Sequence, residues 1–465
     1  MGCLSGVEGP YMKPSQKKLK HIDKKYLWHP FTQMRDWENE DPLIIEKGKG
    51  NWLYDVDGKK YLDGISSLWV TVHGHRKKEI DQSIKKQIDK VSHSTLLGLS
   101  NVPAALLAEQ LVKISPPNLK KVFYSDSGST AVEIALKMAF QYWSHVGVPL
   151  GTPQTKGAAS GAPTKIKFLT FQNAYHGDTI GSVSVGGIDL FHQIFKPLLF
   201  HSIQANFGNV ETLICQHRDE LAAVILEPMI QGAAGMLLQP KGFLKKLRKL
   251  CDDNNVILIF DEVATGFGRT GKMFACQHEG VWPDIMCMAK GITGGYLPLA
   301  ATLTSQKIYD AFHGNYEELK TFFHGHTYTG NPLACAAALA NLEIFKKEKT
   351  IQKTQSRIKQ LKKGLEKFRE LKHVGDIRQL GLMVGIELFK EVETKTSYQL
   401  TEKIGIRIIQ HARKLGVIIR PLGPVIVLMP PLSITEKEME FLLKVTFESI
   451  RVVTENGENP PFIPL

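Results

Sequence analysis

The residues best suited to chemistry in this sequence stand where apolar runs stop. Val256-Ile257-Leu258-Ile259-Phe260 ends at two acids, Asp261 and Glu262. Ligands of α/β proteins sit at the carboxyl ends of sheet strands, so Asp261 is placed to pair with a protonated heterocyclic nitrogen. Magnesium binding and the capping of a following helix are the alternatives for the same acid. Further on, Asp284-Ile285-Met286-Cys287-Met288-Ala289 leads to Lys290, directly before Gly291-Ile292-Thr293-Gly294-Gly295. An amine with an apolar approach loses its proton more readily, and the neutral amine forms Schiff bases with carbonyls. Taken singly, such a lysine more often ends a strand at the surface; its company argues for the chemical role.

That company includes an anion site. Ser125-Asp126-Ser127-Gly128-Ser129-Thr130 follows a strand pattern and opens a helix whose apolar positions are Ala131, Ala135, Met138 and Tyr142. Free backbone N–H groups there, with the positive end of the helix dipole and hydroxyls assisting, would hold a phosphate; an ordinary serine cap is the plainer reading. Asn173-Ala174-Tyr175-His176-Gly177-Asp178 places a flat ring, Tyr175, beside a titratable group, and Val263 is spaced to press on the opposite face of whatever Tyr175 stacks on. Either residue alone would equally serve to fill core.

Residues so far apart in sequence must be brought together by strands that end side by side. Between about 97 and 345, short apolar runs (Val122 to Tyr124, Ile166 to Thr170, Ala222 to Leu226, Val256 to Phe260) alternate with helical patterns, which predicts an α/β layer around a mostly parallel, buried sheet. Leu43 to Leu62 alternates about turns at 47–51 and 55–58 and predicts a small antiparallel meander. After Ile344 a helix is expected toward Leu371, followed by strands over 381–388 and 417–429 around a helix over 402–415. The expected division is a mobile arm over 1–25, part of a small domain over 26–96, a large domain over 97–345 and the rest of the small domain over 346–465. Residues 147–164, rich in Gly, Pro, Ala and Thr, read as a surface loop.

Composition narrows the class. The 465 residues exceed the roughly 250–300 that one core supports. No stretch approaches the ~20 apolar residues of a membrane span. The six cysteines lack metal-ligand spacing and read as reduced thiols, with the cytoplasm as the expected compartment. A net charge of +12 raises the question of nucleic acid, but the lysines at 17–18, 24–25, 245–249, 346–349 and 359–367 are scattered over amphipathic patterns, so no nucleic-acid partner is expected. No metal site is expected either.

Ser127-Gly128-Ser129, Tyr175-His176-Gly177, Glu227-Pro228 with Gln231-Gly232, the run from Asp261 to Gly271, and Lys290 together resemble the motifs of the class III, fold-type I pyridoxal-phosphate aminotransferases, from about Trp28 to Pro431. The resemblance implies a large domain with a mostly parallel central sheet between helices, and a smaller α+β domain built from both chain ends. It implies pyridoxal 5'-phosphate bound covalently to Lys290, which also moves the proton between substrate and cofactor carbons, while Asp261 keeps the ring nitrogen protonated. Cofactor contacts are implied for Gly128, Ser129, Tyr175, Val263, His326 and Thr327, the last reaching in from the other subunit of a homodimer.

Within that class, His29-Pro30-Phe31-Thr32, the segment Asp63 to Ser67, His73-Gly74-His75, Ala139 to Trp143, His324 to Thr327 and Arg420 to Gly423 resemble the branch that forms 7,8-diaminononanoate in biotin biosynthesis. By that likeness Arg420 receives the carboxylate of 8-amino-7-oxononanoate, a task suited to a planar guanidinium. Phe31, Leu68, Trp69, Tyr175 and Gly325 line the substrate. Arg269 either orients the amino donor or makes a structural ion pair. S-adenosylmethionine is the expected donor, with lysine as the smaller alternative, because Leu68-Trp69 and Val427 stand where users of S-adenosylmethionine often carry further aromatics. Two other readings stay open: a relative acting on ornithine, 4-aminobutyrate or another ω-amino acid, and a regulatory protein that kept the fold and lost catalysis.

Overall fold

The computed structural model describes residues 15–146 and 165–455. The expected loop over 147–164 and the first part of the expected arm lie outside the described residues. From residue 15 onward the arm gives way to structure: Gln16–Tyr26 is a helix, capped by the Ser15 hydroxyl. It buries none of its residues and is held by charge, Lys20 pairing with Asp41 at 2.6 Å and Lys24 donating to the Glu38 carbonyl at 2.8 Å. Its apolar positions are only Leu19, Ile22 and Tyr26, of which Leu19 and Ile22 are half-buried, a weak signal among five lysines and an aspartate.

The site rests on a seven-stranded sheet, in the order Leu119–Ser125, Ala300–Ser305, Ile285–Met288, Ile257–Asp261, Leu221–Leu226, Lys167–Phe171, Ile203–Ala205. Ala300–Ser305 runs antiparallel to both its neighbours, and the other pairs are parallel. Six strands therefore end at one edge, the geometry that α/β layers use for ligands. Ile257–Asp261 and Leu221–Leu226 are buried throughout, as central strands covered on both faces must be. Helix Gly128–Val146 covers one face through Ala131, Ala135, Met138 and Tyr142, the positions its sequence spacing selects. Helix Phe243–Asp253 turns Phe243, Leu244, Leu247 and Cys251 inward and leaves its lysines outside.

The two chain ends meet in two smaller sheets. The expected meander forms as Ile45–Lys49, Trp52–Asp55 and Lys60–Asp63, and Val417–Ile418 adds to it in parallel, with Val417 opposite Leu62. The second sheet runs Val374–Leu380, Met383–Leu388, Val425–Leu428, Arg420–Leu422. The long helix expected after Ile344 is broken. Pro332–Lys347 and Thr350–Leu365 are separate, because Lys349 adopts a left-handed φ of 51° between them. The expected 417–429 strand is likewise divided into three short pieces.

Glu438, in the C-terminal helix Glu436–Glu455, ties both ends together. It accepts from Asn51 Nδ2 and Trp52 Nε1 at 2.7 Å each, and from the Thr435 N–H at 2.9 Å. Burial raises its carboxyl, but these donors outweigh that and hold it below the usual carboxylate range. A carboxyl depressed on folding stabilises above its unfolded pKa and loses that contribution as pH falls through the folded value. Glu438→Gln should therefore destabilise the protein more at neutral pH than in acid, where the wild type loses the same contribution as pH falls through the depressed folded value. Urea unfolding at neutral and at acid pH checks this; an equal loss at both would refute it.

Candidate active site

Parallel register collects the site. Phe260 pairs with Leu226 and Asp261 with Cys287, so Glu227, Asp261 and the chain leading to Lys290 leave the sheet side by side. His176 follows the next strand, Lys167–Phe171, and Ser127, Gly128 and Ser129 follow Leu119–Ser125. All of them line one cavity of about 740 Å³.

Asp261 is 4 % exposed. One oxygen accepts from the Val263 N–H at 3.0 Å, and the other lies 2.7 Å from His176 Nδ1. The carboxylate is thus oriented by a buried imidazole, whose Nε2 has no partner. Among the described residues no group of three His, Cys, Asp or Glu side chains is gathered as a metal site.

Lys290 takes a left-handed φ of 47°, a conformation that a non-glycine residue keeps only where its surroundings enforce it. Its Nζ lies 4.7 Å from the Trp69 ring centroid. Burial lowers its pKa below the ordinary lysine value, and the charges of Asp261 and Glu227 only partly restore it. The amine is accordingly primed to lose its proton and act as a nucleophile. Trp69 is set in place by a left-handed turn, Ser66 to Trp69, in which every φ lies between 46° and 71°. Asp63 holds that turn, accepting from the Ser67 N–H and hydroxyl at 2.8 Å each.

The opposite end of the cavity suits an anion. The first turn of helix Gly128–Val146 leaves the N–H groups of Gly128 and Ser129 without intrahelical acceptors. The Ser129 hydroxyl is engaged already, accepting from the Thr179 N–H at 3.0 Å and touching Thr179 Oγ1 at 2.8 Å. A Cβ on Gly128 would fall 2.5 Å from Val263 Cγ1, so only glycine lets the helix start approach Val263. Tyr175 and Val263 both line the cavity, and the Tyr175 hydroxyl donates to Asp178 at 2.7 Å. A primary amine, a buried carboxylate, two flanking apolar surfaces and a helix start together fit a phosphorylated, carbonyl-bearing heterocycle. Pyridoxal phosphate satisfies each of these features.

Three expected substrate residues gather in a second cavity of about 650 Å³, lined by Phe31, Leu68 and Arg420. Tyr175 connects the two, its ring 6.3 Å from Phe191, which in turn lies 5.6 Å from Phe31. Burial lowers the Arg420 pKa, with Tyr175 the opposing influence.

Arg269 is 1 % exposed and donates to the Ser66 hydroxyl at 3.1 Å and to the carbonyls of Pro430 and Thr71 at 2.8 Å each. Its terminal nitrogens thus engage backbone and the turn that carries Trp69. Gly325 and Thr327 are exposed and line neither cavity of this chain. His326 Nε2 comes only to 4.0 Å from Asp126, at the rim.

Sequence reasoning gave no task to Glu227. The signal was present, since Glu227 follows Leu221–Leu226 just as Asp261 closes its own apolar strand. What was missing is the register that sets the two acids side by side.

The comparisons agree with this site. The family description Aminotransferase class-III matches residues 34–449. A protein of Geobacter sulfurreducens named adenosylmethionine-8-amino-7-oxononanoate aminotransferase is 49% identical over 457 residues, covering 94% of this chain and 98% of that protein. One of the same name from Nitratidesulfovibrio vulgaris is 53% identical over 460 residues, covering 95% of this chain and 83% of that protein. The crystal structure of the Methanocaldococcus jannaschii enzyme of that name has a TM-score of 0.90 at 50% identity, covering 94% and 99% of the two chains. A PLP-bound amine transaminase from an uncultivated Pseudomonas species has a TM-score of 0.85 at 33% identity, covering 92% and 99%. With cofactor-site geometry, a match over most of its length and relatives at about half identity, the chain belongs to the class III aminotransferases, enzymes of pyridoxal-phosphate fold type I.

Proposed function

We propose that this chain transfers an amino group from a donor to 8-amino-7-oxononanoate, giving 7,8-diaminononanoate, with pyridoxal 5'-phosphate held on Lys290. The observation that carries the reading is the convergence of Lys290, Asp261 and the Gly128 helix start in one cavity, beside a second cavity that holds Arg420. Relatives named for this reaction support the substrate.

Bound cofactor supplies an aldehyde that takes up the amine and a ring that draws electrons from the adjacent C–H bond. Lys290 Nζ would hold the cofactor through its aldehyde and would serve as the acid–base that moves a proton between substrate and cofactor. Asp261, oriented by His176, stabilises a proton on the ring nitrogen. Gly128 and Ser129 would hold the phosphate through backbone N–H groups, and Tyr175 and Val263, which line the same cavity, would contact the ring. Phe31, Leu68, Trp69 and Arg420 receive the substrate. S-adenosylmethionine is the donor. Gly325, His326 and Thr327 serve the partner's site in a homodimer, which accounts for the exposure of Gly325 and Thr327 here. The large domain spans 97–345, the small domain is built from both ends, and the enzyme works in the cytoplasm. Among the described residues no helix is long and apolar enough to cross a membrane.

The test is a half-reaction titration, following the absorbance of lysine-bound cofactor with S-adenosylmethionine and with lysine in parallel. Whichever bleaches the band is the donor. Bleaching by 4-aminobutyrate alone would overturn the substrate assignment.

Arg420→Ala should lower kcat/KM for the keto substrate by about a hundred-fold, most of it in KM, because a charge-assisted pair contributes about 1.5–3 kcal/mol to binding. The donor half-reaction should change far less if the donor does not use this arginine. Steady-state kinetics with each substrate varied decides it; an unchanged KM for the keto substrate would remove Arg420 from the site.

A further inference from the structure

Glu227 is an acid of the cavity to which the reaction above gives no task. It directly follows Leu221–Leu226, the strand paired with Ile257–Asp261, and is 4 % exposed. Oε1 accepts from the Gly232 N–H at 3.0 Å, whereas Oε2 is buried and meets no donor. Buried carboxyl oxygens without partners are uncommon, and one in the wall of a reactive cavity points to a task there. The charged and titratable groups facing it come from three elements: Asp261 from the adjacent strand, His176 from the loop beyond Lys167–Phe171, and Lys290 from the loop beyond Ile285–Met288. Arg269 is a further charge that acts on Lys290.

We propose that Glu227 is a positioning acid for Lys290: anchored through Oε1 on Gly232 and unengaged at Oε2, it sets by its own charge how tightly the Lys290 nitrogen holds a proton. The proposal rests on Lys290 carrying the cofactor. Burial, with Asp261 adding to it, pushes the Glu227 carboxyl up to about 7, against the opposing pull of His176, the Gly232 N–H and Lys290. Near neutrality the carboxyl thus passes between a neutral form and an anion. The anion favours a positive charge on Lys290 nitrogen, and the neutral form withdraws that support.

Glu227→Gln keeps the shape and the Gly232 hydrogen bond but cannot carry charge. In the holoenzyme, the pH midpoint at which the absorbance of Lys290-bound cofactor changes should fall by about one unit in this variant. Glu227→Asp, which restores the charge, should recover at least half of that shift. An unchanged midpoint in folded Glu227→Gln overturns the proposal. Should that variant not fold, wild-type infrared difference spectra between about pH 6 and about pH 8 must still show one buried carboxyl losing its proton; absence of that band overturns it equally. Failure of the underlying reading looks different: borohydride would then leave no cofactor attached to Lys290 in the wild type.

Discussion

Replacing Lys290 by alanine is expected to slow transamination by at least about ten-thousand-fold while the protein still folds. The magnitude follows from what is lost together. The ε-amine is at once the covalent anchor of the cofactor and the group that carries the proton between two carbons. Among the described residues no other lysine lines the cavity, so none of them substitutes for it. Ten-thousand-fold corresponds to about 5.5 kcal/mol of transition-state stabilisation, within reach of a residue acting both as nucleophile and as general acid–base. The fold should survive, because the substitution removes a buried amine whose burial is unfavourable and which borders a cavity of about 740 Å³ that water can fill. Single-turnover rates with added small amines, beside a thermal melt, measure both parts. Partial recovery by a small amine is the expected signature, and a variant within ten-fold of the wild-type rate would remove Lys290 from its proposed role.

Asp261→Asn should cut kcat on the order of 10²–10³-fold with a smaller change in KM. Asparagine keeps the volume and can still accept from the Val263 N–H, so the strand end is preserved. What disappears is the negative charge that would stabilise a proton on the cofactor ring nitrogen, a need that grows as electrons flow into the ring. The effect therefore falls on the rate and much less on binding. Asp261→Ala should behave differently, leaving His176 Nδ1 and the Val263 N–H buried without an acceptor and costing about 1–3 kcal/mol of stability besides. Kinetics at saturating substrates, with urea unfolding of both variants, separates the two. A kcat for Asp261→Asn within three-fold of wild type would show that the charge is not used.

These two residues were legible without a structure because of a simple contrast. Ile257–Asp261 and Ile285–Met288 are buried throughout, and a charged group at the end of such a run is costly unless it meets something there. The helix opening at Gly128 was legible in the same way, from serines and a glycine ahead of inward-facing apolar positions. Glu227 shows where local reading ends: its immediate sequence resembles that of Asp261, and only the pairing of Leu226 with Phe260 makes it a neighbour of the same cavity. Arg269 shows the same limit, a charged residue in a chemical motif whose terminal nitrogens meet the backbone of Thr71 and Pro430 and the Ser66 hydroxyl. Those partners lie roughly 160–200 positions away in the chain, beyond any local rule.

By itself the sequence determined the α/β layer, the strand ends that carry Asp261 and Lys290, and the helix start for an anion, because apolar periodicity and the cost of burying charge act over a few residues at a time. Tertiary structure alone decided which of these ends face one another, that Trp69 is carried over Lys290 on a left-handed turn held by Asp63, and that Phe31, Leu68 and Arg420 share a second cavity. Those outcomes depend on strand register and long-range packing, whose free energy is set by partners that no stretch of sequence names in advance.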